Sequence, residues 1–321
     1  MSGRSNFPNG FAQGVTIRGL PLLQMHPGEV FYVNNSSVLA KGAVNGSNGN
    51  DGSYRRPFST LTYALTKCTA DRGDIIALMP GHTESLAAGG AGALTLNVAG
   101  VAVVGLGAGT KKPKITSTGA TDTIVISADD MSFVNLAFEA GVADVATGLD
   151  ISAVDGLSFD SCTFSEGATA GTYNYVNFID IADTARDFSM ENCTFIGNDA
   201  NNDAMIVMVG VVGLRLYGNN FYQNVAQATV VAQLLATDAV VDADIRDCNF
   251  RNLKDAAVCI NFDQTDNSGI IRDCMFSTID TADAITGNID ATGINCFECY
   301  FAGEVDSWGI IGGGAAIYNN A

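Results

Sequence analysis

The stretch Phe159-Asp-Ser-Cys-Thr-Phe164 decides the fold, because close copies of it recur from residue 131 onward. Each copy begins with an apolar residue or Cys and ends with Phe, and most copies place Cys two residues before that Phe. The other copies span residues 133–138, 190–195, 216–221, 245–250, 271–276 and 296–301. Successive final Phe residues are 26, 31, 26, 29, 26 and 25 positions apart. This period is typical of solenoids and other repeat proteins.

Each repeat is interpreted as one coil of a right-handed parallel β-helix, an all-β solenoid. A coil of this size cannot enclose a core alone, so neighbouring coils must stack at the strand spacing of about 4.8 Å. A second apolar strand precedes each motif, which predicts two or three strands per coil. The 36 glycines suit the tight turns between such strands.

Within the motif we expect the first, third-from-last and last residues to share the inward face of one strand. The final position then forms an internal ladder of Phe138, Phe164, Phe195, Phe221, Phe250, Phe276 and Phe301. The preceding slot forms a second ladder of Cys162, Cys193, Cys248, Cys274 and Cys299. We interpret these thiols as reduced, packed side chains, in preference to disulfides, metal ligands or catalytic groups.

The charge is strongly acidic and unevenly distributed along the chain. The formal net charge is −18, with +5 over residues 1–114 (10 basic, 5 acidic) and −23 over residues 115–321 (6 basic, 29 acidic). Phosphate contacts need clustered Lys and Arg, so we expect no nucleic-acid partner. Residues 1–19 lack the unbroken apolar run of a signal peptide, and no apolar stretch is long enough for a membrane helix.

Residues 46–86 carry a resemblance to a known superfamily. They combine a Gly/Asn/Asp-rich turn, a segment starting at Pro57-Phe58, and Gly73-Asp-Ile-Ile76 followed by Pro80-Gly81. This order is similar to the opening of the pectate-lyase-like right-handed β-helix superfamily, which implies an end cap. Apolar residues on one helical stripe predict a capping α-helix over residues 58–68. We therefore assign residues 46–321 to one β-helix domain with regular coils from about residue 131.

Residues 1–45 lack a clear period and are predicted to be an extended arm. Their apolar residues are the candidate contacts to a partner: Phe7, Phe11, Leu20, Leu22 and Leu23. The far end, residues 317–321, is similar to the start of another coil without a polar cap. We expect a partner or a sister subunit to cover that end.

Catalytic sites find little support in the sequence. Asp129-Asp130 is the one adjacent acidic pair, and a solvated turn explains it. His82 could act as a base, although His26 is far away and no third partner is evident. Zinc-type Cys/His spacings and a Ser-His-Asp arrangement are absent, so no catalytic residue, metal or cofactor is predicted.

The arm, Phe31-Tyr-Val-Asn34, the turn after residue 46 and Leu78-Met-Pro-Gly-His-Thr-Glu84 resemble β-helix virion proteins of tailed bacteriophages. The resemblance implies a capsid decoration or cement protein on the outer head surface. It also implies the major capsid protein as partner, a homotrimeric state and assembly in the host cytoplasm.

Two alternatives remain open. One is a tailspike or tail-fibre polysaccharide depolymerase. The other is an adhesin that binds glycans through aromatic residues that we expect to be exposed: Tyr173, Tyr175 and Tyr222.

Overall fold

The computed structural model describes residues 28–36, 39, 42–86, 93–167, 172–182, 185–198, 203–224, 232–252, 258–262, 264–278 and 289–302. It also describes the backbone of short strands at 16–17, 20–21, 309–311 and 315–316. The fold of this part of the chain is a parallel β-helix with three long sheets. The helical content is one α-helix, α1 (Leu61–Leu65), and a 3-10 turn (Gly109–Lys111), both within the described ranges.

Sheet 1 contains the first half of each repeat motif. Its strands, in spatial order, are β3 (Val30–Val33), β4 (Ile75–Leu78), β7 (Ala102–Gly105), β10 (Ser132–Val134), β13 (Ser158–Asp160), β17 (Ser189–Glu191), β21 (Arg215–Tyr217), β25 (Ala243–Arg246), β28 (Gly269–Arg272), β31 (Ile294–Phe297) and β34 (Ala315–Ala316).

Sheet 2 contains the second half of each motif. Its strands are β5 (Thr83–Leu86), β8 (Lys114–Ser117), β11 (Ala137–Ala140), β14 (Thr163–Ser165), β18 (Thr194–Gly197), β22 (Asn220–Gln223), β26 (Asn249–Asn252), β29 (Met275–Thr278), β32 (Cys299–Ala302) and β33 (Gly309–Ile311).

Sheet 3 closes the coil with the strands that precede each motif. They are β6 (Leu94–Leu96), β9 (Ile124–Ile126), β12 (Val145–Ile151), β15 (Tyr175–Ile181), β19 (Ala204–Met208), β23 (Ala232–Ala236), β27 (Val258–Phe262) and β30 (Ile289–Ala291). A small sheet 4 lies along the connection from sheet 3 to sheet 1 and contains β16 (Ala185–Arg186), β20 (Val211–Val212) and β24 (Val240–Val241). An antiparallel pair, β1 (Thr16–Ile17) and β2 (Leu20–Pro21), stands apart from these sheets.

The repeat motif is two strands joined by a sharp corner, so our interpretation of one straight strand was wrong. In the copy at 159–164, β13 ends at Asp160, Ser161 adopts a left-handed backbone with φ 55°, and β14 begins at Thr163. The same third position has positive φ at Asn135, Asn192, Gly218, Asp247, Asp273 and Glu298. Gly, Asn and Asp tolerate this conformation best, which explains the residues seen at this position.

The corner turns both halves of the motif inward. The Phe that ends each motif stacks on the Phe of the next coil, with ring centroids 4.5–5.0 Å apart from Phe138 through Phe164, Phe195, Phe221 and Phe250 to Phe276. Offset and face-to-face packing at this separation adds to the hydrophobic effect of burying each ring. The column gives the solenoid a continuous aromatic core.

The β-helix begins earlier than predicted. β3 pairs in parallel register with β4, so residues 30–33, which we assigned to the arm, form the first strand of sheet 1. The residue that precedes β3 is also bonded to the β-helix, because the Glu29 N–H donates to Asp74 Oδ1 at 2.8 Å. The structure therefore does not support an arm that extends over residues 1–45. Phe7, Phe11, Leu22 and Leu23 lie outside the described residues, and Leu20 is described only as backbone of β2.

The predicted capping helix over 58–68 is also not supported at that length, since α1 covers five residues. Its Thr60 N-cap accepts from the Tyr63 N–H, and Leu61, Ala64 and Leu65 are buried. At the far end, β33 and β34 pair antiparallel with β32 and β31. Residues 317–321, the end that we expect a partner or a sister subunit to cover, lie outside the described residues. No helix among the described residues is long and apolar enough to cross a membrane.

Candidate functional site

The thiols of the Cys ladder lie at the corners and act as hydrogen-bond donors. Each Sγ lies 3.2–3.5 Å from the carbonyl oxygen two residues earlier, across the left-handed corner. Each also lies 3.4–3.8 Å from a carbonyl oxygen of a preceding strand of sheet 1. Cys162, Cys193, Cys248, Cys274 and Cys299 are buried and free of disulfides. We expected packing alone, whereas the slot also places a donor next to carbonyl groups.

Two motif copies lack Cys in this slot, which holds Leu136 in one and Asn219 in the other. Asn219 supports the hydrogen-bonding interpretation. Its Nδ2 donates to the Met190 carbonyl at 2.9 Å, and its Oδ1 accepts from the Cys193 N–H at 2.8 Å. The remaining thiols are poorly suited to nucleophilic chemistry, because burial raises the pKa of Cys259, and burial followed by the nearby Asp74 raises the pKa of Cys68 to about 12. The described residues contain no group of three His, Cys, Asp or Glu side chains arranged for a metal ion.

His82 is buried and joins three segments. Its Nδ1 accepts from the Asn35 N–H at 3.2 Å, so its Nε2 carries the proton and donates to Glu84 Oε2 at 3.2 Å. Glu84 in turn accepts from the Leu61 N–H at the start of α1. This chain of contacts positions α1 and β3 on the first coils. With no exposed surface, His82 cannot reach a substrate from this position.

The adjacent acids Asp129 and Asp130 lie at a turn, as the sequence indicated. Asp130 has φ 54° and is exposed, and Asp129 Oδ1 accepts from the Asp155 N–H at 2.9 Å. Of the predicted glycan-contacting aromatics, Tyr173 is exposed and Tyr222 is partly exposed, whereas Tyr175 is buried, with its ring 5.2 Å from that of Phe178. The prediction of an exposed Tyr175 was wrong.

The outer face of sheet 3 carries a carboxylate pair that the sequence reasoning missed. Asp150 and Asp180 are in register on the neighbouring strands β12 and β15, so their side chains project side by side, about 5 Å apart at the backbone. Partial burial, and then the charge of Asp150, raise the pKa of Asp180. A pair of adjacent carboxylates is a common arrangement for acid–base chemistry. Their 30-residue separation matches one coil, which is the signal that could have found them.

A second concave feature lies at the N-terminal end of sheet 2. It is a depression of about 490 Å³ lined by three lysines, Lys111, Lys112 and Lys114, together with Glu139 and three threonines. Lys112 Nζ donates to the Ser161 carbonyl at 2.6 Å and to Thr163 Oγ1 at 2.9 Å, and Lys114 Nζ pairs with Glu139 Oε1 at 3.0 Å.

Comparisons with known proteins bear on the fold. No family model matches the chain, and no curated protein matches it. Among solved structures, a rhamnogalacturonan lyase superposes with a TM-score of 0.52 at 12% identity, covering 78% of this chain and 69% of the lyase. The pectate lyase Pel9A superposes with a TM-score of 0.52 at 14% identity, covering 85% and 74%. At these identities the likeness extends to the fold alone, and the chain has a pectate-lyase-like parallel β-helix fold.

Proposed function

We propose that this chain is a structural virion protein: a capsid decoration or cement protein on the outside of a tailed-phage head. The observation that supports it best is the continuous interior column of stacked Phe rings from Phe138 to Phe276. Such a column makes a stiff rod with long, regular outer faces. We propose the major capsid protein as its partner, and a homotrimer as its assembled state.

Cryo-electron microscopy of particles from cells that produce this chain tests the proposal. We expect rod-shaped density on the head surface, with this β-helix fitting inside it, and particles made without the chain should lack that density. Density on the tail, or none on the particle, would contradict the proposal. In solution, light scattering should give a mass three times the 33.4 kDa of one chain.

A second candidate function is polysaccharide cleavage, and the Asp150–Asp180 pair favours it. Glycoside hydrolases use two carboxyl groups that flank the scissile bond, and strand register places Asp150 and Asp180 side by side on one sheet face. The pair lies on an open sheet face where a chain-like substrate could lie. Release of reducing ends from host capsule or polygalacturonate, abolished by Asp180→Asn, would support this function. Absence of release from both substrates by the wild-type chain would argue against it.

A further inference from the structure

The outer face of sheet 2 is nearly free of acidic residues. Two rows of side chains project from it. The first row contains Thr83, Lys114, Ala137, Thr163, Thr194, Asn220, Asn249, Met275 and Tyr300, and the second contains Ser85, Thr116, Glu139, Ser165, Ile196, Tyr222, Arg251 and Ser277. Among these described residues Glu139 is the one acid, and it pairs with Lys114.

This depletion distinguishes sheet 2 from the other faces. Sheet 1 carries the partly exposed Asp160 and the exposed Glu191 on its outer face, and sheet 3 presents Asp150 and Asp180 outward. A net charge of −18 keeps the molecule soluble through acids on its surface. The outer face of sheet 2 is poor in such acids across about 40 Å of stacked strands. This composition is typical of a contact surface, because the centres of protein interfaces are poor in charged residues.

The C-terminal end of this face is apolar. Met275 and Tyr300 are 54% and 51% exposed and lie opposite each other on β29 and β32. Ile196 and Tyr222 project from the neighbouring row, partly exposed. Met, Tyr and Arg are enriched at protein interfaces. Arg251 also lies in this row, next to Tyr222, and is exposed.

The N-terminal end of the face is basic. The lysine depression opens there, and Lys111 and Lys112 extend from the 3-10 turn that replaces the usual corner between β7 and β8. The backbone holds this turn in place, since the Gly81 N–H donates to the Lys111 carbonyl at 2.7 Å. Partial burial lowers the pKa of Lys112. A bound anion would offset that desolvation and favour the charged ammonium.

The chemistry of the depression selects its occupant. The Lys111 and Lys112 N–H groups already donate to the Ala108 and Gly109 carbonyls, so they cannot form a backbone cradle for phosphate. A second copy of this chain, joined through the same face, would bring lysines against a surface with a single acid. Another polypeptide can present carboxylates to the basic end of the face and apolar side chains to its apolar end.

We propose that the outer face of sheet 2 is a protein-docking face. It receives an acidic polypeptide surface whose carboxylates enter the lysine depression and whose apolar residues cover Met275 and Tyr300. The identification of that partner as a capsid protein rests on the proposed function above. A strip of roughly 40 by 10 Å is smaller than the about 800 Å² per partner of a standard interface, so attachment by a single chain is weak and linked copies strengthen it.

Binding of labelled poly-L-glutamate to the full chain at low ionic strength tests the basic end. The variant Lys111→Glu/Lys114→Glu should weaken this binding by at least about tenfold. The control Arg186→Glu/Arg272→Glu changes the net charge by the same amount on other faces and should leave binding within about twofold of wild type. Thermal melts followed by circular dichroism establish that both variants fold.

Three outcomes would overturn the docking face. The wild-type chain could fail to bind poly-L-glutamate, the two double variants could weaken binding equally, or polygalacturonate could bind through the lysines while poly-L-glutamate does not. The last result would assign the depression to an acidic glycan.

Co-sedimentation with phage heads separates this inference from the proposed function. If wild type binds heads, then Lys111→Glu/Lys114→Glu and Met275→Glu should each reduce binding, and the arginine control should not. Equal binding by all variants overturns the docking face and leaves the decoration function intact. Failure of wild type to bind heads, with lysine-dependent binding of poly-L-glutamate, overturns the decoration function alone.

Discussion

At the scale of single residues, the corner slot shows why Cys recurs in this chain. The slot follows a left-handed residue and has apolar packing on one side and carbonyl oxygens on the other. Cys suits both conditions because its thiol is a weak donor on a small hydrophobic side chain, whereas Leu136 meets the packing condition alone. Asn219 meets the hydrogen-bonding condition with its amide instead.

Cys248 offers a test of this dual role. Its Sγ lies 3.4 Å from the Leu216 carbonyl and 3.3 Å from the Arg246 carbonyl. We expect Cys248→Val, which fills the space without a donor, to lower the free energy of unfolding by about 1 kcal/mol more than Cys248→Ser. Urea denaturation followed by circular dichroism measures the difference. A better-tolerated Val would mean that the slot requires packing alone.

Asp74 is a buried carboxylate that ties the first strand to the body. It accepts from the Glu29 and Thr69 N–H groups and from both Arg72 Nε and Nη2. Burial alone would raise its pKa, but the hydrogen bonds from Arg72, Glu29 and Thr69 outweigh burial and lower the pKa below 3.8. The folded chain therefore binds this proton less readily than the unfolded chain.

The sign of the pH dependence follows from that shift. The stabilising contribution of Asp74 is complete above its unfolded pKa and is lost as the pH falls through the lower folded value. We expect Asp74→Asn to cost about 2 kcal/mol at neutral pH, with the difference from wild type shrinking as the pH drops below 3.8. Urea denaturation midpoints of both proteins, measured from neutral pH to below pH 3.8, give this difference in stability. A constant difference would show that the charge of Asp74 is not what stabilises the contact.

At the scale of elements, the left-handed corner between sheets 1 and 2 defines each coil. Gly218 is the glycine of this series, with φ 65°, and a Cβ built there would lie 3.0 Å from Asn192 Oδ1 of the preceding coil. We expect Gly218→Ala to cost about 1–2 kcal/mol. Gly218→Asn should cost less, because Asn adopts this conformation more readily. Equal losses for Ala and Asn, read from thermal or urea unfolding, would argue that crowding rather than backbone conformation sets the cost.

At the scale of the whole molecule, the acidic excess of residues 115–321 opposes the compact state. Like charges on neighbouring strands, such as Asp150 and Asp180, repel one another, and dissolved salt screens exposed charges beyond about 8 Å at physiological ionic strength. We expect added sodium chloride at neutral pH to raise the Tm by about 2–4 °C, equivalent to about 1 kcal/mol. Differential scanning calorimetry over a salt series measures this. A Tm that falls with salt would indicate that attractive ion pairs dominate.

The sequence by itself determined the solenoid. A motif that repeats at one coil length and ends in Phe leaves few alternatives, since equal segments with one apolar face bury that face only by stacking. The ladder residues follow from the same periodicity, and the exposed turn at Asp129-Asp130 follows from its acidic residues. The left-handed corner within each motif and the pairing of distant segments became known only from the tertiary structure. Both depend on contacts that the local sequence does not encode.

The same division holds for the candidate sites. β3 pairs with β4 although the paired residues, such as Val30 and Ile75, are 45 positions apart in the chain, which no local pattern reveals. The Asp150–Asp180 pair and the acid-poor face of sheet 2 arise from register between coils, since residues about one coil apart in sequence become neighbours in space. Composition fixed how many charges the chain carries, and only stacking in register decided which face they occupy.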